Sequence, residues 1–275
     1  MDKKTIIICG LSIALADSGG EGPPLLFIHG NSGGADSFET QFDLARGAGC
    51  RALAVDLPGH GDSSRDPRAS EDPRIYTVDY FARFLSVFME AVGARAPFLV
   101  GHSLGGHIAL HLAEKMAVRG IMLLGTSPLE DHRDVKAAFF SRKETTALFS
   151  EDVSAKQTEA LAAFLFQEEG HREAFLRHFE RAHGKVRDHL GASLGPGAVF
   201  GDVSILKNLT CPVIFFLGDR DPLMNREYLL SLLAGSGREK DFHLLKNCGH
   251  FPQIEQPFLL NRLLELFLRH QREFP

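Results

Sequence analysis

The sequence predicts an α/β fold: a mostly parallel central sheet flanked by helices, interrupted once by an inserted helical segment. Three observations predict it. Short apolar runs alternate with amphipathic stretches along most of the chain, the βα rhythm of a buried, largely parallel sheet. A strand, a sharp turn and a helix follow one another around Gly101-His102-Ser103-Leu104-Gly105. The rhythm then breaks from about residue 129 to about residue 208, where the chain is polar and helix-forming but shows no clear strand.

In chain order, the first element is ambiguous. Met1-Asp2-Lys3-Lys4 ahead of an apolar stretch, with Ala14-Leu15-Ala16 behind it, imitates a cleaved export signal. We favour a β-hairpin, because Gly10 divides Ile6-Ile7-Ile8 from the alternating Leu11-Ser12-Ile13-Ala14-Leu15. The next strands read as Leu25-Leu26-Phe27-Ile28, Ala52-Leu53-Ala54-Val55, Phe98-Leu99-Val100, Ile121-Met122-Leu123-Leu124, Val213-Ile214-Phe215-Phe216-Leu217 and Phe242-His243-Leu244-Leu245. Thr77 is placed to cap a helix that carries Tyr80, Phe81, Phe84, Leu85, Phe88 and Met89 at helical spacing. A last helix follows Pro257 with Leu260, Leu263, Leu264, Phe267 and Leu268.

We therefore expect a sheet domain from residues 1–128 and 209–275 and a helical cap over 129–208. The cap holds Phe139, Phe140, Phe149, Phe164, Phe166, Phe175 and Phe179. Most should pack the cap helices together, and a few should roof a substrate pocket and exclude water.

At 275 residues, 44% hydrophobic and 24% charged, the chain suits one large domain carrying an insertion. Its net charge of −5 and its lack of a basic run interleaved with aromatics exclude a nucleic-acid partner. Membrane association is likewise not expected. Cys9, Cys50, Cys211 and Cys248 lack C-x-x-C spacing, which suits reduced thiols and a cytoplasmic location.

The turn at Ser103 has the form of a nucleophile elbow: an apolar Pro97-Phe98-Leu99-Val100 leads in, and a helix-like run over 106–116 leads out. Such a turn forces the serine to positive φ, and only glycine on either side leaves room for the bend. A serine hydroxyl needs a base to become a nucleophile, and the base needs an orienting group. Cys248-Gly249-His250-Phe251-Pro252 places His250 in the loop after a late strand. Asp219-Arg220-Asp221 follows another strand, so its carboxylates also emerge where open α/β sheets gather their active sites.

With these motifs the chain resembles the α/β-hydrolase fold superfamily. The resemblance runs through Phe27-Ile28-His29-Gly30-Asn31, Asp56-Leu57-Pro58-Gly59-His60-Gly61-Asp62-Ser63, the elbow, Gly218-x-x-Asp221 and Gly249-His250. It implies a Ser103, Asp221, His250 triad, because the family's acid lies three residues after Gly218. Asp219 is the runner-up, and Glu130 or Asp131 the third possibility, since some relatives carry the acid there. Backbone N–H groups of Asn31 and Leu104 are the expected oxyanion donors. The turn at His29-Gly30-Asn31-Ser32-Gly33-Gly34 fits neither the G-x-G-x-x-G nor the P-loop spacing, which sets phosphate binding aside.

Thirteen histidines raise the question of a metal, and His107 and His111 stand at i, i+4. Neither Glu114 nor a nearby cysteine completes a ligand set, so no metal and no cofactor is expected. His29 and His60 are read as loop-orienting groups, and His102 as a wall or packing residue. The expected activity is metal-independent hydrolysis of a carboxylic ester or lactone with an apolar acyl group. Similarity in His29-Gly30-Asn31-Ser32, in the elbow through Ile108, and in Gly125-Thr126-Ser127-Pro128 points towards members that open N-acyl-homoserine lactones. A serine at the elbow argues against dehalogenase or epoxide hydrolase chemistry, which uses an aspartate there. Carbon–carbon bond hydrolysis, acyl transfer and perhydrolysis remain as other uses of the triad, and a small-molecule receptor remains as the non-enzymatic alternative.

Overall fold

The computed structural model describes residues 1–236, 238 and 241–273. Its strands are β1 (Lys4–Ile8), β2 (Leu11–Asp17), β3 (Pro24–Ile28), β4 (Arg51–Val55), β5 (Phe98–His102), β6 (Gly120–Leu124), β7 (Val213–Gly218) and β8 (Phe242–Leu245). The helices are α1 (Glu39–Gly47), α2 (Val78–Ala91), α3 (Leu104–Lys115), α4 (His132–Ala138), α5 (Ala155–Leu165), α6 (Glu169–Arg181), α7 (Gly184–Ser193), α8 (Asp202–Asn208), α9 (Arg226–Ser236), α10 (Pro252–Glu255) and α11 (Pro257–Glu273). The strands form one eight-stranded sheet in the order β1-β2-β4-β3-β5-β6-β7-β8. Strands β3 to β8 are mutually parallel, whereas β2 joins antiparallel to β1 and to β4.

The N-terminal ambiguity resolves as the hairpin. Cys9 and Gly10 take φ of 51° and 77°, the two positive values that a two-residue turn needs to match the twist of its strands. The turn sets the register Ile8↔Leu11, which buries Leu11, Ile13 and Leu15.

The period of two along each strand sorts the sheet's side chains into two cores. Leu26, Ile28, Leu53, Val55, Leu99, Ile121 and Leu123 join a cluster with residues of α2 and α3. Leu25, Phe27, Ala52, Ala54, Phe98, Val100, Met122 and Leu124 turn the other way, towards α1 and α11. Strand runs that are apolar on both faces are therefore what the sequence had to contain. Thr77 caps α2 as expected, its hydroxyl accepting the Tyr80 N–H at 3.3 Å.

Between β6 and β7 the chain runs through α4 to α8. Ser154 with Gln157 and Asp131 with Asp134 form capping boxes that start α5 and α4. Phe166, Phe175 and Phe179 are buried in a third apolar cluster with Leu161, Leu165 and Met224, whereas Phe140 and Phe149 stay exposed. The last helix of this segment, α8, packs on α3 and contributes Ile205 and Leu206 to the main core. All four cysteines are unbridged, and among the described residues no helix is long and apolar enough to cross a membrane.

The cap at Thr77 makes a stability prediction. Thr77→Ala should cost about 1 kcal/mol, read as a lower urea midpoint with an unchanged slope; a slope change would mean that more than the cap had been lost.

Candidate active site

Strand order reverses around β3, which lies between β4 and β5, and the loops that leave the C-terminal ends of these strands meet there. Ser103 sits between β5 and α3 with φ 52° and ψ −117°, a strained conformation for a residue with a side chain. The surroundings over-determine it. The Ser103 N–H donates to Leu124 O at 2.8 Å, and its carbonyl accepts from Gly106 N–H at 2.9 Å and from the Thr126 hydroxyl at 3.0 Å. The flanking glycines are required for space: a Cβ on Gly105 would stand 2.1 Å from Ile28 O, and one on Gly101 2.3 Å from Gly105 O. Backbone thus touches backbone where α3 meets β3.

His250 is buried, and its Nδ1 lies 2.8 Å from Asp221 Oδ2. The other carboxylate oxygen of Asp221 accepts the N–H groups of Leu223 at 2.8 Å and Met224 at 3.1 Å. These contacts hold the acid in one orientation and offset the cost of burying its charge. Gly218 makes the approach possible, since a Cβ there would be 2.1 Å from Gly249 O and 2.2 Å from Cys248 O. The end of β7 therefore lies directly against the His250 loop.

The other acids considered are engaged elsewhere. Asp219 accepts the Cys248 N–H at 3.3 Å. Glu130 accepts the Ser204 N–H at 3.0 Å, and Asp131 caps α4 while pairing with Arg133. Of these four carboxylates, Asp221 is the one bonded to His250. Cys248, beside the histidine, is no rival nucleophile, because burial pushes its thiol well above the ordinary range.

Ser103 and His250 border the same cavity. His102 links them: it adjoins Ser103 in the chain, its ring centroid is 5.0 Å from that of His250, and its Nε2 is 2.9 Å from His250 O. Burial and the neighbouring His250 hold His102 well below its ordinary pKa, so it is neutral and donates to that carbonyl through its Nε2–H. Among the described residues no hydrogen bond of 3.5 Å or less joins the Ser103 hydroxyl to His250. Such contacts often tighten only when substrate is bound.

The remaining motif residues build the loops around this point. His29 is kept neutral by burial; its Nδ1–H donates to Gly30 O at 2.8 Å and its Nε2 accepts the Leu57 N–H at 3.0 Å. It ties the β3 turn to the β4 turn. His60 makes a weaker contact, Nδ1 to Pro58 O at 3.3 Å. Asp56 is fully buried and accepts from Ala35 N–H, Asp62 N–H and Lys3 Nζ at 2.8, 2.9 and 2.9 Å. Burial alone would raise its pKa, but these donors hold it below the ordinary value.

Sequence reasoning missed three features of the site. Glu255 accepts the N–H groups of Gly249 at 2.8 Å and Phe251 at 2.9 Å, bracketing His250. The Asn31 side chain donates to Leu148 O at 2.6 Å, tying the β3 turn to the segment between β6 and β7. Asp202, at the start of α8, receives His107 Nδ1 at 2.6 Å and His111 Nε2 at 3.1 Å. The signal for Glu255 was present as a helix start, Pro252-x-x-Glu255, one turn after the histidine. The other two had no local signal. The Asn31 and Leu104 backbone N–H groups donate to no protein acceptor among the described residues.

The cavity has a volume of about 800 Å³, within the range of small-molecule sites. It extends from Asn31, Ser103, Leu104 and His250 along α3 to His107 and His111, beneath Phe139, Phe140 and Phe149. Among the described residues no group of three or more His, Cys, Asp or Glu is arranged to hold a metal ion.

Comparison with known proteins shows the family. Residues 25–263 match the alpha/beta hydrolase family. The chain belongs to that family. This alpha/beta hydrolase is 24% identical over 270 residues to a 2-hydroxy-6-oxononadienedioate/2-hydroxy-6-oxononatrienedioate hydrolase of Dechloromonas aromatica, covering 94% of this chain and 91% of that protein. It is 36% identical over 120 residues to the dihydrolipoyllysine-residue acetyltransferase component of an acetoin cleaving system of Cupriavidus necator, where the match spans 44% of this chain and only 30% of that protein. Among solved structures, N-acyl homoserine lactonase AidH complexed with N-butanoyl homoserine superposes with a TM-score of 0.86 at 26% identity, over 100% of this chain and 99% of that one.

The geometry separates Asp221 from Asp219 experimentally. Asp221→Asn should slow fluorophosphonate labelling of Ser103 by about 10³–10⁴-fold, the scale of a lost orienting acid, while Asp219→Asn should change it by no more than a few-fold. The reverse ranking, measured on intact protein by mass spectrometry, would move the acid to Asp219.

Proposed function

We propose that this hydrolase cleaves a carboxylic ester or lactone through an acyl-enzyme formed on Ser103. The observation that carries the reading is the Asp221–His250 hydrogen bond, whose histidine borders one cavity with a serine held at positive φ. In this reading His250 takes the Ser103 proton as the hydroxyl attacks the carbonyl, and Asp221 fixes the imidazole tautomer and stabilises its charged form. The Asn31 and Leu104 backbone N–H groups receive the oxyanion. His250 then protonates the leaving alkoxide, and water releases the acid. With a lactone the alkoxide remains tethered, so its prompt protonation prevents reclosure.

The segment between β6 and β7 acts as a cap in this scheme. Its Phe139, Phe140 and Phe149 border the cavity and supply an apolar roof for an acyl group. Likeness to an N-acyl homoserine lactonase over the whole chain supports a lactone among the substrates. Likeness to a dienedioate hydrolase supports carbon–carbon bond cleavage by the same residues as the second reading.

The test is a panel of p-nitrophenyl esters, lactones of graded acyl length and a vinylogous 1,5-diketone acid. Turnover of esters or lactones, lost in Ser103→Ala with the thermal midpoint unchanged, is the expected result. Preference for rings would select the lactonase form, and turnover of the diketone alone the carbon–carbon form. Hydrolysis retained by Ser103→Ala would defeat the assignment, and binding without turnover or labelling would make the protein a receptor.

A further inference from the structure

Four side chains bordering the cavity carry a formal charge at neutral pH: Asp79, Lys136, Arg142 and Asp202. Both carboxylates are matched. Asp79 pairs with Arg83 at 2.6 Å and with Lys115 at 3.0 Å. Asp202 is buried and takes three donors, His107, His111 and, at 3.0 Å, the Leu129 N–H. Neither Lys136 nor Arg142 has a carboxylate partner among the described residues, and both are exposed on the side of the cavity formed by the β6–β7 segment. The cavity's unmatched charge is therefore positive.

His107 and His111 place this charge pattern relative to Ser103. They lie one and two turns beyond it on α3, on the order of 6 and 12 Å along the helix, and both border the cavity. Each uses one ring nitrogen on Asp202, and the other ring nitrogen has no protein partner among the described residues. Their side chains are only 11% and 14% exposed, so a ligand that reaches them leaves bulk water. A ring that donates one N–H to Asp202 and the other to a ligand carboxylate has both nitrogens satisfied.

We propose that His107 and His111, steadied by Asp202, form an anion subsite that holds a carboxylate at the far end of the substrate. The substrate class is then an apolar chain with an ester or lactone carbonyl at one end and a carboxylate at the other. Lys136 and Arg142 draw that carboxylate towards the opening. Asp202 is a positioning residue, since its oxygens are spent on the two rings and on Leu129. The identity of the reacting end rests on the ester or lactone reading above; carboxylate binding does not.

Calorimetry on the full chain carrying Ser103→Ala tests the subsite without turnover. The probes are monomethyl esters of butanedioic through octanedioic acid, each paired with a methyl ester of equal length that ends in methyl. At one preferred length the half-acid should bind about ten-fold or more tightly than its match. His107→Gln and His111→Gln, each added to Ser103→Ala, should remove that preference. The preference is a ratio within one protein, so a partly unfolded variant does not imitate its loss, and the single Ser103→Ala protein already decides whether it exists. Equal binding of both end groups at every length, or a preference that survives both histidine variants, would overturn the subsite. If the preference holds and the intact protein turns over none of the esters, the subsite stands and the ester reading fails.

Discussion

Backbone contact at the C-terminal edge of the sheet is the constraint on which the rest depends. The turn after β5 presses on the end of β3, where Gly105 faces Ile28 O, and the end of β7 presses on the His250 loop, where Gly218 faces the carbonyls of Cys248 and Gly249. No side chain fits between these segments. Segments from distant parts of the chain are thereby held against one another, and Ser103 can be kept at φ 52° because its backbone is bonded to β6 and to Thr126. The strain at the serine is balanced by contacts that a more loosely packed edge would not provide.

A second layer of fixed polar groups keeps these loops from relaxing. His29, His102 and Asp56 are all buried, and each bonds to backbone that belongs to another loop. Burial keeps the two histidines neutral, so they act as tautomer-specific struts rather than proton carriers. This division is economical in chemical terms. Of His29, His102 and His250, only His250 has a carboxylate on its ring nitrogen.

Much of this was legible in the sequence because its causes are local. Strand runs, the Thr77 cap, the hairpin at Gly10 and the elbow glycines each follow from a few neighbouring residues. The family motifs pointed to Ser103, Asp221 and His250, of which the structure bonds Asp221 to His250 and sets Ser103 and His250 on one cavity. What could not be read depends on which distant segments meet. Asp202 lies 95 positions from His107, in a stretch with no strand pattern, so a search for local ligands ended at Glu114. The Asn31–Leu148 contact spans 117 positions and joins a motif loop to a segment whose path no periodicity reveals.

That contact also shows why roof and floor of the cavity are not independent. The loop carrying Asn31 is held to the β6–β7 segment by Asn31 Nδ2 on Leu148 O and by His178 on Asp36 at 3.0 Å, while Arg181 pairs with Asp62 on the neighbouring β4 loop. The hydrogen bond from His178, against the opposing effect of burial, holds the Asp36 carboxyl well below the usual carboxylate range. These ties come from the turn Glu144–Phe149 and from α6, the same elements that supply Phe149 and Phe175 to the cavity wall. A shift of the roof to admit a longer or wider ligand must therefore pull on the loop whose backbone N–H faces the reacting carbonyl in the proposed mechanism. In that mechanism specificity and rate are coupled through one short stretch of chain. A roof residue remote from Ser103 can then change the chemical step without touching the substrate's reacting atoms, because a displacement of about 1 Å in a positioning group is already costly.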